Sequence, residues 1–202
     1  DSNLRPLSDV RVLDFSTTIA GPHCGRLLAD MGADVIKVES PEGDLMRSRP
    51  VQRDGQGTMF GQLNAGKRSI VLDLKQPEAI AAVKKLVAKV DIVLENYRPG
   101  VMKRLGLDPV AACERRPELV WCSISGFPGD HPRAAVRGWD SIVGAAAGLY
   151  TSKYSVVRGD PRYSALPYVS TFAAFLASHR TMAALIHRQR TGRGAHVEVS
   201  LF

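Results

Sequence analysis

The sequence predicts a doubly wound α/β domain, in which a mostly parallel sheet is covered by helices on both faces. Short apolar runs alternate with stretches of helical periodicity through the first two thirds of the chain. The apolar runs are nearly continuous, as in strands that are buried on both faces. Helical segments separate successive strands, which is the spacing of right-handed βαβ crossovers.

The first βαβ unit occupies residues 10–38. Val10–Phe15 is a β-rich apolar run, and Pro22 suits the first position of the helix that follows. Gly32 ends that helix, and residues 33–38 form the next strand. Three apolar residues share one face of the helix: Leu27, Leu28 and Met31.

The same patterns predict the remaining elements. Further strands are predicted over 69–74, 91–95, 119–125 and 195–202, and further helices over 77–90, 109–115, 141–149 and 169–190. Residues 150–164 are predicted to be a polar loop. The last helix is expected to contribute core residues, namely Phe172, Leu176, Ala183, Leu185 and Ile186. His179 and Arg180 interrupt its apolar pattern and are expected to face solvent or a partner.

Composition indicates a globular protein. The chain has 202 residues, of which 45% are hydrophobic and 23% charged, enough for one large core. Its three cysteines show neither a disulfide framework nor metal-ligand spacing, which favours a cytoplasmic location. The sequence shows no signal peptide and no apolar run of roughly 20 residues, so no membrane partner is expected. Residues 1–7 are expected to be disordered or foreign to the natural protein, with one domain over 8–202.

The formal net charge of +7 leaves three interpretations open. Basic residues cluster within 103–116 and 180–193. A small ligand with phosphate groups and a solvated basic surface both fit this charge. Nucleic acid is not expected as a partner, because no basic motif is interleaved with aromatic residues.

Two loops should lie at the carboxyl edge of the sheet, where ligands bind in such folds. The first, residues 16–22, lacks GxGxxG and a P-loop, which argues against a dinucleotide site. Its helix start could hold an anion, or Thr17 and Thr18 could merely cap the helix. The second is 96–100 (NYRPG), in which Arg98 suits a phosphate and Tyr97 suits a stacked ring. A simple Pro-Gly turn is the alternative.

Other chemistry-bearing residues give weaker signals. The five histidines form no cluster with metal-ligand spacing, so no metal site is predicted. Asp140 could orient a base, although an N-cap on the following helix is the preferred interpretation. No Ser/His/Asp order with a nucleophile elbow is visible.

Several segments together resemble the family III CoA-transferases (CaiB/BaiF type), which include formyl-CoA transferase, carnitine CoA-transferase and α-methylacyl-CoA racemase. They are LSDVRVLDFSTTIAGPHCGRLLADMGADVIKVESPEGD (7–44), LNAGKRSIVLDLK (63–75), DIVLENYRPGVMKRLGL (91–107), SISGFPGD (123–130) and RTGRGAHVEVSL (190–201). These segments occur in the family order across nearly the whole chain. The resemblance implies the Rossmann-like large domain of that family, with the smaller domain absent from this sequence, and an interlocked homodimer for the full-length protein.

The resemblance also implies a reaction and a binding site. In that family an active-site aspartate takes the acyl group from an acyl-CoA and CoA is passed to a carboxylic acid, which is covalent catalysis by a carboxylate. Acyl-CoA and carboxylic acids are therefore the expected substrates. The positions that match the CoA contacts are Thr17, Thr18, Ile19, Ala20, Leu72, Lys75, Asn96, Tyr97, Arg98 and Arg104.

Four positions depart from the family pattern. Counted back from Thr191, the catalytic aspartate falls on Ser170, whose hydroxyl cannot form a mixed anhydride and would need a base that the sequence does not reveal. Trp139 replaces the histidine of the racemases, Ser40 replaces a common arginine and Ile19 a common glutamine. Family members are also about twice as long. A CoA-transferase domain, a non-catalytic half of a tandem protein and a racemase-like isomerase therefore remain the alternatives.

Overall fold

The computed structural model describes residues 5–150 and 163–202 of the chain. Its strands are β1 (Arg11–Asp14), β2 (Asp34–Glu39), β3 (Gln52–Arg53), β4 (Gln56–Gly57), β5 (Arg68–Val71), β6 (Ile92–Glu95), β7 (Val120–Ser125) and β8 (His196–Ser200). Its helices are α1 (Ala20–Asp30), α2 (Thr58–Asn64), α3 (Pro77–Val87), α4 (Val101–Arg104), α5 (Pro109–Arg115), α6 (Asp140–Ala146) and α7 (Tyr168–Thr191). One 3-10 turn spans Leu45–Arg47.

Six of the strands form one parallel sheet in the order β5-β2-β1-β6-β7-β8. Val12 of β1 pairs with Val35 on one side and with Ile92 on the other. The chain therefore winds outward from β1 in both directions, and the strand order reverses between β1 and β6. This arrangement confirms the predicted doubly wound fold and places a crevice between the loops that follow these two strands.

Helices cover both faces of the sheet, so the core has two parts. One apolar cluster lies beneath α1 and α7 and includes Cys24, Leu28 and Leu185. The other lies beneath α3, α4 and α5 and includes Val83, Met102 and Trp121. The inner strands β1, β2, β6 and β7 are mostly buried, as their near-continuous apolar sequences indicated. The edge strand β5 is exposed, which corrects the expectation that every strand is covered on both faces.

The predicted boundaries need a few corrections. Helix α1 begins at Ala20, two residues before Pro22, because proline is tolerated throughout the first turn, where N–H groups have no intrahelical acceptor. Strand β5 ends at Val71, and α3 ends at Val87. The hairpin of β3 and β4 and the helices α2 and α4 were not predicted. Most of the predicted loop 150–164 lies outside the described residues.

The domain begins earlier than residue 8. Leu7 is 4% exposed and belongs to the core beneath α1 and α7, and its N–H donates to the carbonyl of Met31 at 3.1 Å. The apolar side chain of Leu7 therefore packs at the carboxyl-terminal end of α1. The expectation that residues 1–7 are all disordered is therefore wrong for Leu7.

Helix α7 buries small residues, not large ones. Its buried face consists of Ser170, Ala173, Ala174, Ala177, Ser178, Thr181, Ala184 and Leu185. Of the five residues that were predicted to be core, only Leu185 is buried; Phe172, Leu176, Ala183 and Ile186 are exposed. The small face lets α7 lie close to α1, and His23 of α1 makes an edge-to-face contact with Phe175 of α7, with 5.4 Å between the ring centroids.

The remaining surface of α7 is mixed. Its length and hydropathy alone would allow it to cross a membrane, but 44% of its most apolar window is buried within this domain. His179 and Arg180 are exposed, as predicted. We therefore describe α7 as a core helix of the α/β domain.

Candidate functional site

A cavity of about 300 Å³ opens in the crevice between β1 and β6. Its walls come from the loops after β1, β6 and β7 and from the starts of α6 and α7. The crevice is where the strand order reverses, which is the expected ligand position in a doubly wound sheet. The residues that line it include Thr18, Ile19, Ala20, Arg49, Asn96, Tyr97, Arg98, Trp139, Asp140 and Ser170.

The structure gathers most, but not all, of the predicted site residues in this cavity. Seven line it: Thr18, Ile19, Ala20, Asn96, Tyr97, Arg98 and Ser170. Four do not: Thr17, Leu72, Lys75 and Arg104. Leu72 packs against the core beneath α3, while the side chains of Lys75 and Arg104 are exposed. The binding roles of all these residues stay predictions.

Asn96 ties the two loops of the crevice together. Its side-chain oxygen accepts from the N–H of Thr17 at 2.8 Å, and its side-chain nitrogen donates to the carbonyl of Thr17 at 2.8 Å. This pair of bonds joins the end of β6 to the loop after β1. Asn96 therefore shapes the cavity through the backbone of the first loop.

Thr18 has a strained backbone at the cavity wall. Its φ of +69° lies in the left-handed region, which is unusual for a β-branched residue. Such a conformation costs about 1–3 kcal/mol and persists only where the surroundings hold it. The Thr18 N–H lies 3.4 Å from the Oδ1 of Asp44, and Thr17 is held by Asn96. Thr18 thus lies strained within the segment that carries four of the predicted ligand contacts.

Buried ion pairs support this loop from below. Lys37 lies 3.0 Å from Asp44 and donates to the carbonyl of Ser16 at 2.6 Å. Lys67 lies 2.8 Å from Asp14. Burial alone would raise the pKa of Asp14, but Lys67 and Lys37 outweigh it, so that pKa is lowered. Burial also lowers the pKa of Lys67, against the opposing effect of Asp14. Removal of either partner of these ion pairs would leave an unpaired buried charge and would strongly destabilise the loop.

Ser170 lies in the first turn of α7 and contacts Asp140. Its hydroxyl donates to Oδ2 of Asp140, and its backbone N–H donates to Oδ1 at 3.0 Å. The N-cap residue of α7 is Pro167, which makes no side-chain cap. Asp140 therefore supplies an acceptor to a helix start that lacks one of its own.

This contact corrects two expectations. Asp140 was interpreted as the N-cap of the following helix, but it is the first residue of α6 and serves α7 instead. The sequence revealed no base beside Ser170, whereas the structure places a carboxylate there. Because the two residues are 30 positions apart, no local pattern could have found the pair.

The rest of the wall is aromatic and cationic. Trp139 and the exposed side chains of Arg98 and Arg49 line the cavity, and Arg49 was not predicted. Burial, with a smaller effect of Glu95, raises the pKa of Tyr97 to about 12, so its phenol stays protonated. Across residues 5–150 and 163–202 no three His, Cys, Asp or Glu side chains are grouped as metal ligands.

A second cavity of about 450 Å³ adjoins the first and extends the crevice toward α4 and α5. The two share Tyr97, Arg98, Pro99 and Ser125. Lys103 lines the second cavity but lies 3.6 Å from Asp108, and the carboxylates of Glu95 and Glu198 also line it. Arg98 lies where the two cavities meet and offers a guanidinium there, a group that suits a phosphate.

Comparison with known proteins identifies the family. The sequence profile of CoA-transferase family III matches residues 7–202. The chain belongs to CoA-transferase family III. The chain superposes on a CaiB/BaiF family protein from Brucella suis with a TM-score of 0.92 at 35% identity, over 99% of this chain and 54% of that one.

Curated relatives of this family III domain are CoA-transferases. A succinate–glutarate CoA-transferase from Agrobacterium fabrum is 39% identical over 97% of this chain and 51% of its own length. A CoA-transferase/lyase, DddD, from a Marinomonas species is 39% identical over 98% of this chain but only 23% of its own length. The chain thus spans about half the length of the first of these relatives and about a quarter of the second.

Proposed function

We propose that this domain binds CoA or acyl-CoA in the crevice, and that the full-length protein transfers CoA from an acyl-CoA to a carboxylic acid. The observation that carries the proposal is the cavity itself, in which Arg98, the loop after β1 and the start of α7 converge. Family membership and the names of the relatives support the same reaction class.

The groove has chemistry that suits CoA. Guanidinium groups at Arg98 and Arg49 provide forked donors for phosphate oxygens. Helix α1 is 11 residues long and begins at the same end of the sheet. The N–H groups of its first turn that lack an intrahelical acceptor point toward that end. Trp139 and the half-buried ring of Tyr97 offer apolar surface to the pantetheine arm or the adenine ring.

Further parts of the proposal concern the assembled protein. It acts in the cytoplasm and forms an interlocked homodimer in its full-length form, as the family resemblance implies. The relatives' names favour dicarboxylic acids such as succinate and glutarate as the acids exchanged. Light scattering on the purified full-length protein measures the oligomeric state directly, and a monomer at working concentration would contradict this part.

The test of binding is calorimetric titration of the full-length protein with CoA. We expect Arg98→Ala to weaken binding by about tenfold, because it removes a charge-assisted phosphate contact worth about 1–2 kcal/mol. Arg68→Ala is the matched control, since Arg68 is an exposed arginine that pairs with Asp34 at the β5 edge. If the two variants bind CoA with equal affinity, the assignment of Arg98 is wrong. Transfer is then measured between succinyl-CoA and a panel of carboxylic acids.

A second candidate is a non-catalytic CoA-binding half of a longer or tandem protein. Ser170 favours it, because a hydroxyl cannot form a mixed anhydride, and the match to a quarter of DddD fits a domain within a longer chain. This candidate predicts CoA binding without transfer, and gain of transfer in Ser170→Asp. A racemase-like isomerase has less support, since Trp139 occupies the position of the racemase histidine; it predicts exchange of the acyl α-hydrogen with solvent.

A further inference from the structure

Asp140 places a carboxylate beside Ser170, the position that matches the family aspartate. Asp140 and Ser170 both line the cavity, and two hydrogen bonds from Ser170 hold the Asp140 side chain. The substitution at Ser170 has thus removed a carboxylate from α7 but left another within hydrogen-bond distance, on the first residue of α6. We propose that Asp140 is the catalytic nucleophile of this protein, in a role that rests on the CoA-transferase function proposed above.

Several features present Asp140 as a reactive carboxylate. It is 9% exposed, yet it lines the cavity, so it is accessible from the ligand side only. Both of its oxygens accept hydrogen bonds, Oδ1 from the N–H and Oδ2 from the hydroxyl of Ser170. The dipole of the 24-residue α7, at whose start Asp140 lies, favours a negative charge at this place. Among the described residues no lysine or arginine forms an ion pair with it, so its charge is not already neutralised.

The first half of the reaction needs no proton from Asp140. An oxygen of the carboxylate bonds to the thioester carbonyl carbon, the carbon–sulfur bond breaks and CoA leaves as its thiolate, which gives a mixed anhydride. The thiolate then attacks the side-chain carbonyl carbon of Asp140. This step releases the donor as a free carboxylate and leaves an aspartyl-CoA thioester on residue 140.

The second half mirrors the first. The acceptor carboxylate attacks the aspartyl-CoA thioester, CoA leaves as the thiolate and a second anhydride forms. The thiolate attacks the acceptor carbonyl carbon, which yields the new acyl-CoA and restores the Asp140 carboxylate. Every bond formed is matched by one broken, and no oxidant or further reactant enters.

Ser170 is the positioning residue in this scheme. As a nucleophile it would have to lose its proton, and it would form an acyl ester while CoA leaves as the free thiolate. Such an ester holds no CoA and is less reactive than an anhydride, so it offers no route to a new acyl-CoA on the acceptor acid. As a donor it fixes both oxygens of Asp140 at the cavity wall. Its backbone N–H stays available to the oxygen of the acylated carboxyl group.

The experiment traps the thioester in the full-length protein. The protein is incubated with succinyl-CoA, reduced with borohydride and digested with trypsin, because reduction of an aspartyl-CoA thioester leaves homoserine. Asp140 falls in the tryptic peptide 138–153 and Ser170 in 163–180, so mass spectrometry separates the two sites. We expect homoserine at residue 140 in the natural protein and in Ser170→Ala, and none in Asp140→Asn.

The variants add a kinetic readout. Asp140→Asn keeps an oxygen that can accept from the Ser170 N–H, so the fold is retained, while transfer falls by at least about a thousandfold. CoA affinity, measured by calorimetry, should change by less than about threefold in the same variant, because the lost group acts on the acyl carbon. Asp30→Asn is the matched control, since Asp30 is an exposed aspartate at the far end of α1.

The outcomes separate this inference from the proposed function. CoA binding without homoserine at residue 140 overturns the inference and leaves binding intact. An acyl ester on peptide 163–180 overturns it in favour of a serine nucleophile and thioester hydrolysis. If calorimetry detects no CoA binding at all, the proposed function fails, and the assignment of Asp140 fails with it.

Discussion

The contact between Asp140 and Ser170 ties a carboxylate at the cavity wall to the first turn of α7. Asp140 accepts from the first turn of α7, and both residues are almost fully buried. A carboxylate in this position satisfies a backbone donor that Pro167 cannot serve. Substitutions of Asp140 are therefore expected to affect the fold unless the acceptor oxygen is kept.

Replacement of Asp140 by alanine should destabilise the domain. We expect Asp140→Ala to lower the free energy of unfolding by about 1–2 kcal/mol, the usual cost of a lost helix cap. Ser170→Ala removes only the hydroxyl and should cost about 1 kcal/mol. Urea unfolding of the three proteins at neutral pH measures both differences. A larger loss for Ser170→Ala than for Asp140→Ala would contradict the capping role.

Gly21 is needed where α1 begins, because a methyl group there would overlap the side chain of Ser16 and lie 3.3 Å from Cγ of Asn96. Gly21→Ala should therefore displace the loop that Asn96 ties down, at a cost of about 1–3 kcal/mol, and weaken CoA binding. Gly61 in α2 faces open space. Gly61→Ala should stabilise the protein by about 0.5–1 kcal/mol. Thermal unfolding compares the two, and similar shifts would disprove the steric argument.

Helix α7 shows how one element can be specified by its small residues. Its alanine and serine face permits close packing on α1 and the sheet, while its larger apolar residues lie on the other side. Because alanine carries little hydrophobic signal, the pattern of large residues pointed to the wrong face. The helix itself was predicted to within one residue at each end.

The same substitution on the two faces of α7 tests this arrangement. Ala177 is fully buried, and Ala177→Leu should cost about 1–3 kcal/mol through overpacking. Ala183 is exposed, and Ala183→Leu should change stability by less than about 0.5 kcal/mol. Both are measured by urea unfolding. Equal effects would mean that the small face is not the packed face.

Buried and half-buried charges give the whole domain a pH dependence. Burial of Glu39 opposes its ionisation, but hydrogen bonds from Arg47, Ser69 and the backbone of Asp44 outweigh burial and lower its pKa to about 2. A lowered folded-state pKa means that the stabilisation is complete above the unfolded pKa of about 4.3 and is lost as the pH falls toward 2.

We therefore expect the free energy of unfolding to fall between about pH 5 and pH 2, with up to about 3 kcal/mol coming from Glu39. In Glu39→Gln this part of the dependence should disappear, since glutamine does not titrate. The measurement is a series of urea unfolding curves across that pH range. Parallel curves for the natural protein and the variant would show that Glu39 does not contribute.

Sequence patterns predict most of the fold but only part of the site. The strands and long helices follow from apolar runs that are local in sequence, and the loops after β1 and β6 follow from the sheet topology. Arg49 and Asp140 reach the cavity through packing of the first half of the chain against α6 and α7, which no local pattern encodes. Lys75 and Arg104 lie outside the cavity because they belong to segments that leave the crevice.

The pairing of β1 also has a consequence for biosynthesis. Val12 pairs with Ile92, so about 80 residues must be made before the central strand has its second neighbour. At about 5–20 residues per second the ribosome needs about 4–16 s for this stretch, far longer than the microseconds that chain collapse takes. During that time the unpaired N–H and C=O groups along the edge of β1 are open to other chains. The crevice is thus completed late, and a nascent chain arrested before residue 92 has no groove in which to hold a ligand.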